Sequence, residues 1–463
     1  MKAEIAMKYL MPLLICLAAT SCRQQSNHNA NHAPATPAAS LADPLTLALA
    51  PHSGTGRLDR EIIQLQDKVR ASKQPDLALE RLGWKFVAKA RESFDPGLYK
   101  LAEQCALALE ARHSHSPEAL LLRGHALHNL HRFKEAEPLA RQLTGQRGLP
   151  FDFGLLGDVL MEQGNLGEAV EAYQKMVDLR PDLHSYARGA HIRWLKGNLK
   201  GAEKLIRLAA DAASSHDGES AAWVHVRLGA YQFQSGAFAE AERTCAAALD
   251  FQKDYPPALL LQGRLLLAQA QYGLAAQTLR RAMELNTLPE YQWALAEALR
   301  ADGHAEEAAA VEAQLRRHGP ATDPRTYSLY LATRGESAAA ALRLAEEELK
   351  SRGDVFTHDA LAWALAAAGR LDQAQRHAAQ ALSEGTQDGR LFFHAAVIAH
   401  RGGYDAEAAR LAAKATQLRH LLLPSEREQL LALAARLETA SQDANDRSAS
   451  FTPLQPAIAN IVK

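Results

Sequence analysis

Ten alanines recur along this chain at nearly constant spacing: Ala102, Ala136, Ala169, Ala202, Ala241, Ala275, Ala308, Ala340, Ala374 and Ala408, with intervals of 34, 33, 33, 39, 34, 33, 32, 34 and 34 residues. A period of this length is one supersecondary unit repeated, each too small to bury its own apolar face, so the units must stack on their neighbours. Five residues before seven of the last nine alanines stands a glycine: Gly164, Gly197, Gly236, Gly303, Gly335, Gly369 and Gly403. Glycine ends a helix in the left-handed conformation without steric cost. Each glycine therefore reads as a helix stop, followed by a short turn and an alanine in the next helix. His131 and Ala270 stand where the second and sixth units would place it. An apolar–small pair such as Leu156-Gly157 or Leu228-Gly229 precedes the alanine by 12 or 13 residues. Small residues at both places let two antiparallel helices approach closely. Apolar residues make up 47% of the chain and aromatics 6%, and Ala and Leu dominate the apolar set; that balance favours helix over strand.

The third unit, PFDFGLLGDVLMEQGNLGEAVEAYQKMVDLRP, shows the pattern whole, with Leu156, Gly157, Gly164, Ala169, Tyr173 and Pro181 at helical spacings. It resembles the tetratricopeptide repeat (TPR), and the resemblance runs over residues 75–421. The fold it implies is all-α, a right-handed α-solenoid of about ten tandem helix–turn–helix repeats with capping helices. Two units carry insertions: about seven residues near Glu92–Leu98 in the first, and SSHDGES before the fifth, expected as a longer exposed loop. Residues 57–74 read as an N-terminal capping helix. Residues 425–441 read as a C-terminal one, with Ser425 as cap, Glu428 as its capping-box partner and a leucine stripe over the last repeat. Residues 442–463 form a tail.

The N-terminus reads as an address. Lys2 and Lys8 precede an apolar run from Tyr9 to Ala19, too short to span a bilayer and suited to a signal peptide. The segment 1–22 ends in LAATSC and resembles a lipoprotein signal, which implies lipidation at Cys22; an ordinary secretory signal cleaved near Ser21 is the alternative. Residues 23–56, rich in Asn, His, Ala and Pro, have too little apolar surface to offset their ordering entropy and read as a disordered tether. The expected setting is the bacterial cell envelope, as an outer-membrane lipoprotein facing the periplasm and held to the membrane through Cys22. Cys105 and Cys245 lie at matching apolar positions four units apart, too far to pair, and read as buried thiols.

Lys plus Arg (52) balances Asp plus Glu (53), and no basic run suggests nucleic-acid binding. No Gly-rich phosphate loop, GxSxG, HExxH or CxxC occurs. His125, His128 and His131 recur every three residues and would drift around a helix instead of converging on a metal. The chain is thus expected to be no enzyme and to need no cofactor. The resemblance implies a protein-binding scaffold whose groove is lined by the first helix of each repeat. Transferring the groove positions gives Trp84, His125, His191, Trp194, Trp223, Phe233, Arg264, Trp293, Trp363 and Phe393 as candidate partner-binding residues. All five tryptophans fall on that face. Such rings are favoured interface anchors, although each can instead pack between helices. The groove is expected to hold a segment of another protein of the envelope; a glycan- or peptidoglycan-binding module using the same groove is the alternative. The Lys/Asn arrangement by which some family members clamp a terminal carboxylate is absent.

Overall fold

The computed structural model describes residues 43–449. The signal segment 1–22 with Cys22, residues 23–42 of the tether and residues 450–463 of the tail lie outside the described residues. After α1 (Pro44–Ala48) and α2 (Arg57–Ala71), ten helical hairpins follow in tandem. They are α3 (Asp76–Ser93) with α4 (Gly97–Arg112), α5 (Pro117–Asn129) with α6 (Phe133–Gln146), α7 (Pro150–Glu162) with α8 (Leu166–Leu179), α9 (Leu183–Leu195) with α10 (Leu199–Asp211), and α11 (Gly218–Gln234) with α12 (Phe238–Phe251). The second five are α13 (Pro256–Ala268) with α14 (Tyr272–Leu285), α15 (Pro289–Ala301) with α16 (Ala305–Thr322), α17 (Pro324–Arg334) with α18 (Ala338–Leu349), α19 (Val355–Ala367) with α20 (Leu371–Leu382), and α21 (Gly389–Arg401) with α22 (Asp405–Gln417). The helix α23 (Pro424–Ala449) closes the described chain. This is an all-α solenoid of ten tandem repeats with capping helices.

The periodic residues do what their chemistry requires. Nine of the ten landmark alanines have no exposed surface. In the eighth unit the buried residue is Ala341, not Ala340, because the turn there is one residue longer and Ser337 takes up the slack at φ 33°. All seven turn glycines have positive φ, between 66° and 85°. His131 and Ala270 adopt the same left-handed conformation at 58° and 59°, so the turn geometry is imposed by the hairpin and glycine is only its cheapest occupant. Gly157 permits the close approach of α7 and α8: a Cβ there would lie 2.4 Å from the Tyr173 ring.

Three local expectations change. The SSHDGES insertion is only partly a loop: residues 212–217 form the longer exposed connection, but Gly218–Ser220 begin α11, which reaches 17 residues where most first helices have 13; the extra residues of the first unit lengthen α3 to 18 ahead of the turn to α4. The end of the expected tether is ordered. Asp43 caps α1 through the Thr46 amide at 3.2 Å, and Gln66 of α2 donates to the carbonyls of Ala48 (3.1 Å) and Ala50 (2.8 Å). Leu45, Leu49 and the buried Ala48 add apolar contact with the first hairpin, which supplies the burial that composition alone did not promise. Finally, α23 starts at Pro424, so the capping register shifts. Glu426, not Glu428, receives the Leu423 N–H at 2.8 Å, while Ser425 turns to Glu297.

Successive first helices touch one another directly, as α3 does α5 and α5 does α7. They form the inner layer of the coil, and the second helices form the outer one. The coil is tight enough for one turn to meet the next, so residues more than 120 positions apart are in contact.

Candidate binding groove

The inner layer divides into two parts. In α15, every residue from Tyr291 to Leu299 is buried, as is every residue from Tyr327 to Thr333 in α17, Asp359 to Ala366 in α19 and Leu391 to Ala396 in α21. A helix buried all round has no free face. The cover is α23, whose Leu430, Leu433 and Leu437 join the same core as Trp293, Trp363 and Phe393. Its polar side chains are matched as well. The Ser425 amide and hydroxyl donate to Glu297 at 3.0 and 2.7 Å, and Arg390 pairs with the buried Glu426 at 2.7 Å. The leucine stripe of α23 therefore fills the concave side of the later repeats, well beyond the last one.

Four of the ten candidate residues are consequently internal. Trp293 is 2% exposed, donates to Glu297 at 3.3 Å and lies beneath the Arg390 guanidinium. Trp363 donates to Thr333 at 3.0 Å and stacks on His394, with ring centroids 4.2 Å apart. Phe393 has no exposed surface. Phe233 is packed against His420 from the segment before α23. Arg264, half-buried, donates to the Leu421 carbonyl of that segment. In this arrangement these side chains hold the chain's own C-terminal end.

The inner faces of α3, α5, α7 and α9 keep accessible surface. Trp84 and His125 are half-buried with ring centroids 5.4 Å apart. Asp158 accepts from Arg188 at 2.6 and 2.8 Å and from the Tyr173 hydroxyl at 2.8 Å. Burial raises the Asp158 carboxyl, but the Arg188 charge and hydrogen bonds outweigh it and hold the group below the usual carboxylate range. Burial, with His128 adding to it, pushes His125 down to about 3; burial and the Arg227 guanidinium do the same to His191. Arg227 donates to His191 Nδ1 at 2.8 Å, which keeps that nitrogen an acceptor and the ring neutral. The same guanidinium lies over the Tyr231 ring at 5.3 Å and the Trp194 ring at 6.0 Å, and among the described residues it has no carboxylate partner. Trp194 is half-buried and stacks on Phe356 from the next turn, centroids 5.6 Å apart. Trp223 is 37% exposed, the most accessible of the five tryptophans.

The structure thus brings together Trp84 with His125, and His191 with Trp194, and leaves Trp223 outside both pairs. The groove positions did not single out the partners Arg188 of Asp158 and Arg227 of His191. These bonds span 30 and 36 residues, about one repeat, and the repeat register itself was the signal that would have found them. Among the described residues no three His, Cys, Asp or Glu side chains converge as metal ligands, and no helix is long and apolar enough to cross a membrane. Cys105 and Cys245 are both buried, and burial raises both thiols.

Residues 155–217 match the family model of the tetratricopeptide repeat. No curated protein sequence matches the chain. Among solved structures, pilF of Pseudomonas aeruginosa aligns at 16% identity over 48% of this chain and 99% of its own, with a TM-score of 0.38. Yeast Tom70 aligns at 12% over 85% and 96%, with a TM-score of 0.35. The C-terminal part of a TPR repeat-containing protein from Cytophaga hutchinsonii aligns at 20% over 53% and 95%, with a TM-score of 0.32. The helical hairpins and the matched segment together identify the fold as a solenoid of tandem tetratricopeptide-type repeats, the architecture of protein-interaction scaffolds.

Proposed function

We propose that this chain is a non-enzymatic scaffold that binds a segment of another protein along the inner face of its first five repeats, in the bacterial cell envelope. The observation that carries the reading is the division of the inner layer. The later repeats are filled by α23, whereas Trp84 with His125, and His191 with Trp194, remain part-accessible, the second pair beside an Arg227 that among the described residues has no carboxylate partner. Aromatic rings next to guanidinium groups are the usual anchors of a protein-binding surface. Repeat scaffolds of this type are typically non-catalytic. The envelope setting rests on the N-terminal segment, with Cys22 as the lipid-bearing residue.

Site-specific photo-cross-linking in cells tests the groove. A cross-linkable residue in place of Trp84 or His125 should capture one discrete protein partner, and the same residue in place of the outer-face Val170 should not. Equal capture at both places refutes groove binding, and sedimentation of the purified chain with cell wall in place of protein capture would favour the glycan reading. Cys22→Ser should move the chain from the membrane to the soluble fraction; unchanged fractionation removes the anchor.

A further inference from the structure

Between the two turns of the coil runs a seam with a regular construction. The carbonyls in the last turn of the inner helices of units three to six are Glu162, Leu195, Phe233 and Leu267. Each accepts a bond from across the seam. The donors are the Gly353 amide (3.0 Å), the Thr386 hydroxyl (2.6 Å), His420 Nε2 (2.9 Å) and the Arg427 guanidinium (2.9 Å). Helix C-termini leave carbonyls without intrahelical partners; those of Glu162 and Leu195 are met by the next turn, while those of Phe233 and Leu267 accept from it in addition to the turn amides of Gly236 (3.0 Å) and Ala270 (3.2 Å). Arg352 pairs with Glu162 at 2.9 Å and Lys196 with Glu384 at 2.6 Å along the same line. At the N-terminal end the two lengthened helices meet: Arg91 near the end of α3 pairs with Glu219 at the start of α11, and Tyr255 donates to Glu219 at 3.1 Å. Two departures from the repeat length thus complete one contact.

Glycine sets the spacing. A Cβ on Gly353 would stand 2.5 Å from the Gln163 carbonyl oxygen, and one on Gly164 would stand 2.3 Å from the Gly353 carbonyl oxygen. Gly353 does not have positive φ, so its own backbone conformation does not call for glycine. The close approach of the two turns does.

We infer that this seam is a latch, which closes the coil over the inner face of the first repeats and opens as a unit to admit a bound segment. The chemistry of the two interface types carries the inference. Hairpin-to-hairpin contacts are apolar layers of Ala and Leu with little exposed surface, and parting them exposes hydrocarbon to water. The seam's bonds are made mostly by backbone and charged groups, which water satisfies once they part; its apolar contacts are separate patches, Trp194 on Phe356, Val355 beside Leu160 and Ile192, Phe94 beside Tyr255, and His420 with Leu421 against Phe233 and Phe238. Local opening follows the weakest interface, and in this molecule that is the seam.

The latch's purpose rests on the scaffold reading, but its test needs no partner. The Gly353 amide has its bond only across the seam, so its hydrogen exchange reports opening. It should exchange about tenfold or more faster than the amides of Ala362 and Leu365 inside α19. A zero-length carbodiimide cross-link between Lys196 and Glu384 should slow it toward theirs. Gly353→Ala should raise the radius of gyration in small-angle scattering with helicity retained, whereas Gly167→Ala, whose Cβ meets open space, should not. If Gly353→Ala fails to fold, Thr386→Val removes one bond of the row without a clash and should speed Gly353 exchange. Gly353 exchange as slow as that of the α19 core, or a radius unchanged by Gly353→Ala, overturns the latch and leaves the photo-cross-linking result to decide the scaffold reading separately.

Discussion

Ala270→Gly is expected to stabilise the protein. Ala270 sits in the turn between α13 and α14 at φ 59°, where seven other hairpins have glycine. Its methyl is exposed, so no packing is lost on removing it. The turn bonds are made by backbone atoms, Ala270 N to Leu267 O at 3.2 Å and Gln271 N to Leu266 O at 2.9 Å, and survive the change. Relief of left-handed strain contributes roughly 1–2 kcal/mol. Glycine's extra freedom in the unfolded chain costs about 0.4–1 kcal/mol. The difference leaves a net gain of about 0.5–1 kcal/mol. Ala310→Gly is the matched control. It removes the same methyl from an exposed position inside α16, where glycine costs about 1 kcal/mol. Urea unfolding followed by circular dichroism, with local hydrogen exchange in α13 and α14, should therefore show opposite signs for the two variants. A lower or unchanged midpoint for Ala270→Gly, beside the expected loss for Ala310→Gly, would refute the claim that hairpin geometry imposes the left-handed turn. His131 occupies the same place in the second unit, but its ring stacks on Phe133 with centroids 5.7 Å apart, so glycine there forfeits a contact and should bring no comparable gain.

Gly157→Ala should destabilise despite alanine's better helix propensity. The new Cβ meets a Tyr173 ring pinned by its hydroxyl to Asp158, and overpacking of roughly 1–3 kcal/mol exceeds a propensity gain of about 1 kcal/mol; a raised melting temperature would contradict this. Asp158→Asn leaves the part-buried Arg188 guanidinium without its carboxylate and should lower stability by about 1–3 kcal/mol in a denaturant titration. Because the folded Asp158 carboxyl is held below its ordinary value, its stabilisation is full above the ordinary value and is lost as pH falls through the folded one. Wild type should accordingly lose more stability than Asp158→Asn in strong acid, and parallel acid limbs would exclude the assignment. His191 behaves differently. With its folded value depressed to about 3, the unfolded chain takes up the proton first, so stability falls as pH drops from 6.5 toward 3, by at most about 1.4 kcal/mol per pH unit for this group. His191→Gln should flatten that decline, and an unchanged slope would show that the ring is hydrated and free to protonate.

Much of the repeat was legible because it is local. A landmark alanine, a helix-ending glycine and a small residue on the facing helix act within one unit, and their spacing alone located the hairpins to within a residue or two. The misses share a cause. Ala340 for Ala341, Gly218–Ser220 read as loop and Glu428 for Glu426 are all errors of one or two residues, or of a loop's end against a helix's start, at places where the period was interrupted or ended. The candidate groove fared unevenly for another reason. Trp84 and Trp293 carry the same inner-face signal in the sequence, yet one keeps accessible surface and the other has 2%. What separates them is α23, which lies more than 120 residues from Trp293 in the chain.

The hairpin is written locally in the chain: its two helices, its turn, its number of copies and the residues that let the helices touch. Those follow from side-chain size, backbone conformation and a period of about 33 residues, all properties of neighbours. How tightly the coil winds emerges with the assembled fold, and with it which inner faces are open, which are filled by α23, and where the two turns meet. Winding is the sum of small rotations between successive units, and a slight change in each would separate Glu162 from Gly353 and Leu195 from Thr386. No single repeat encodes that sum.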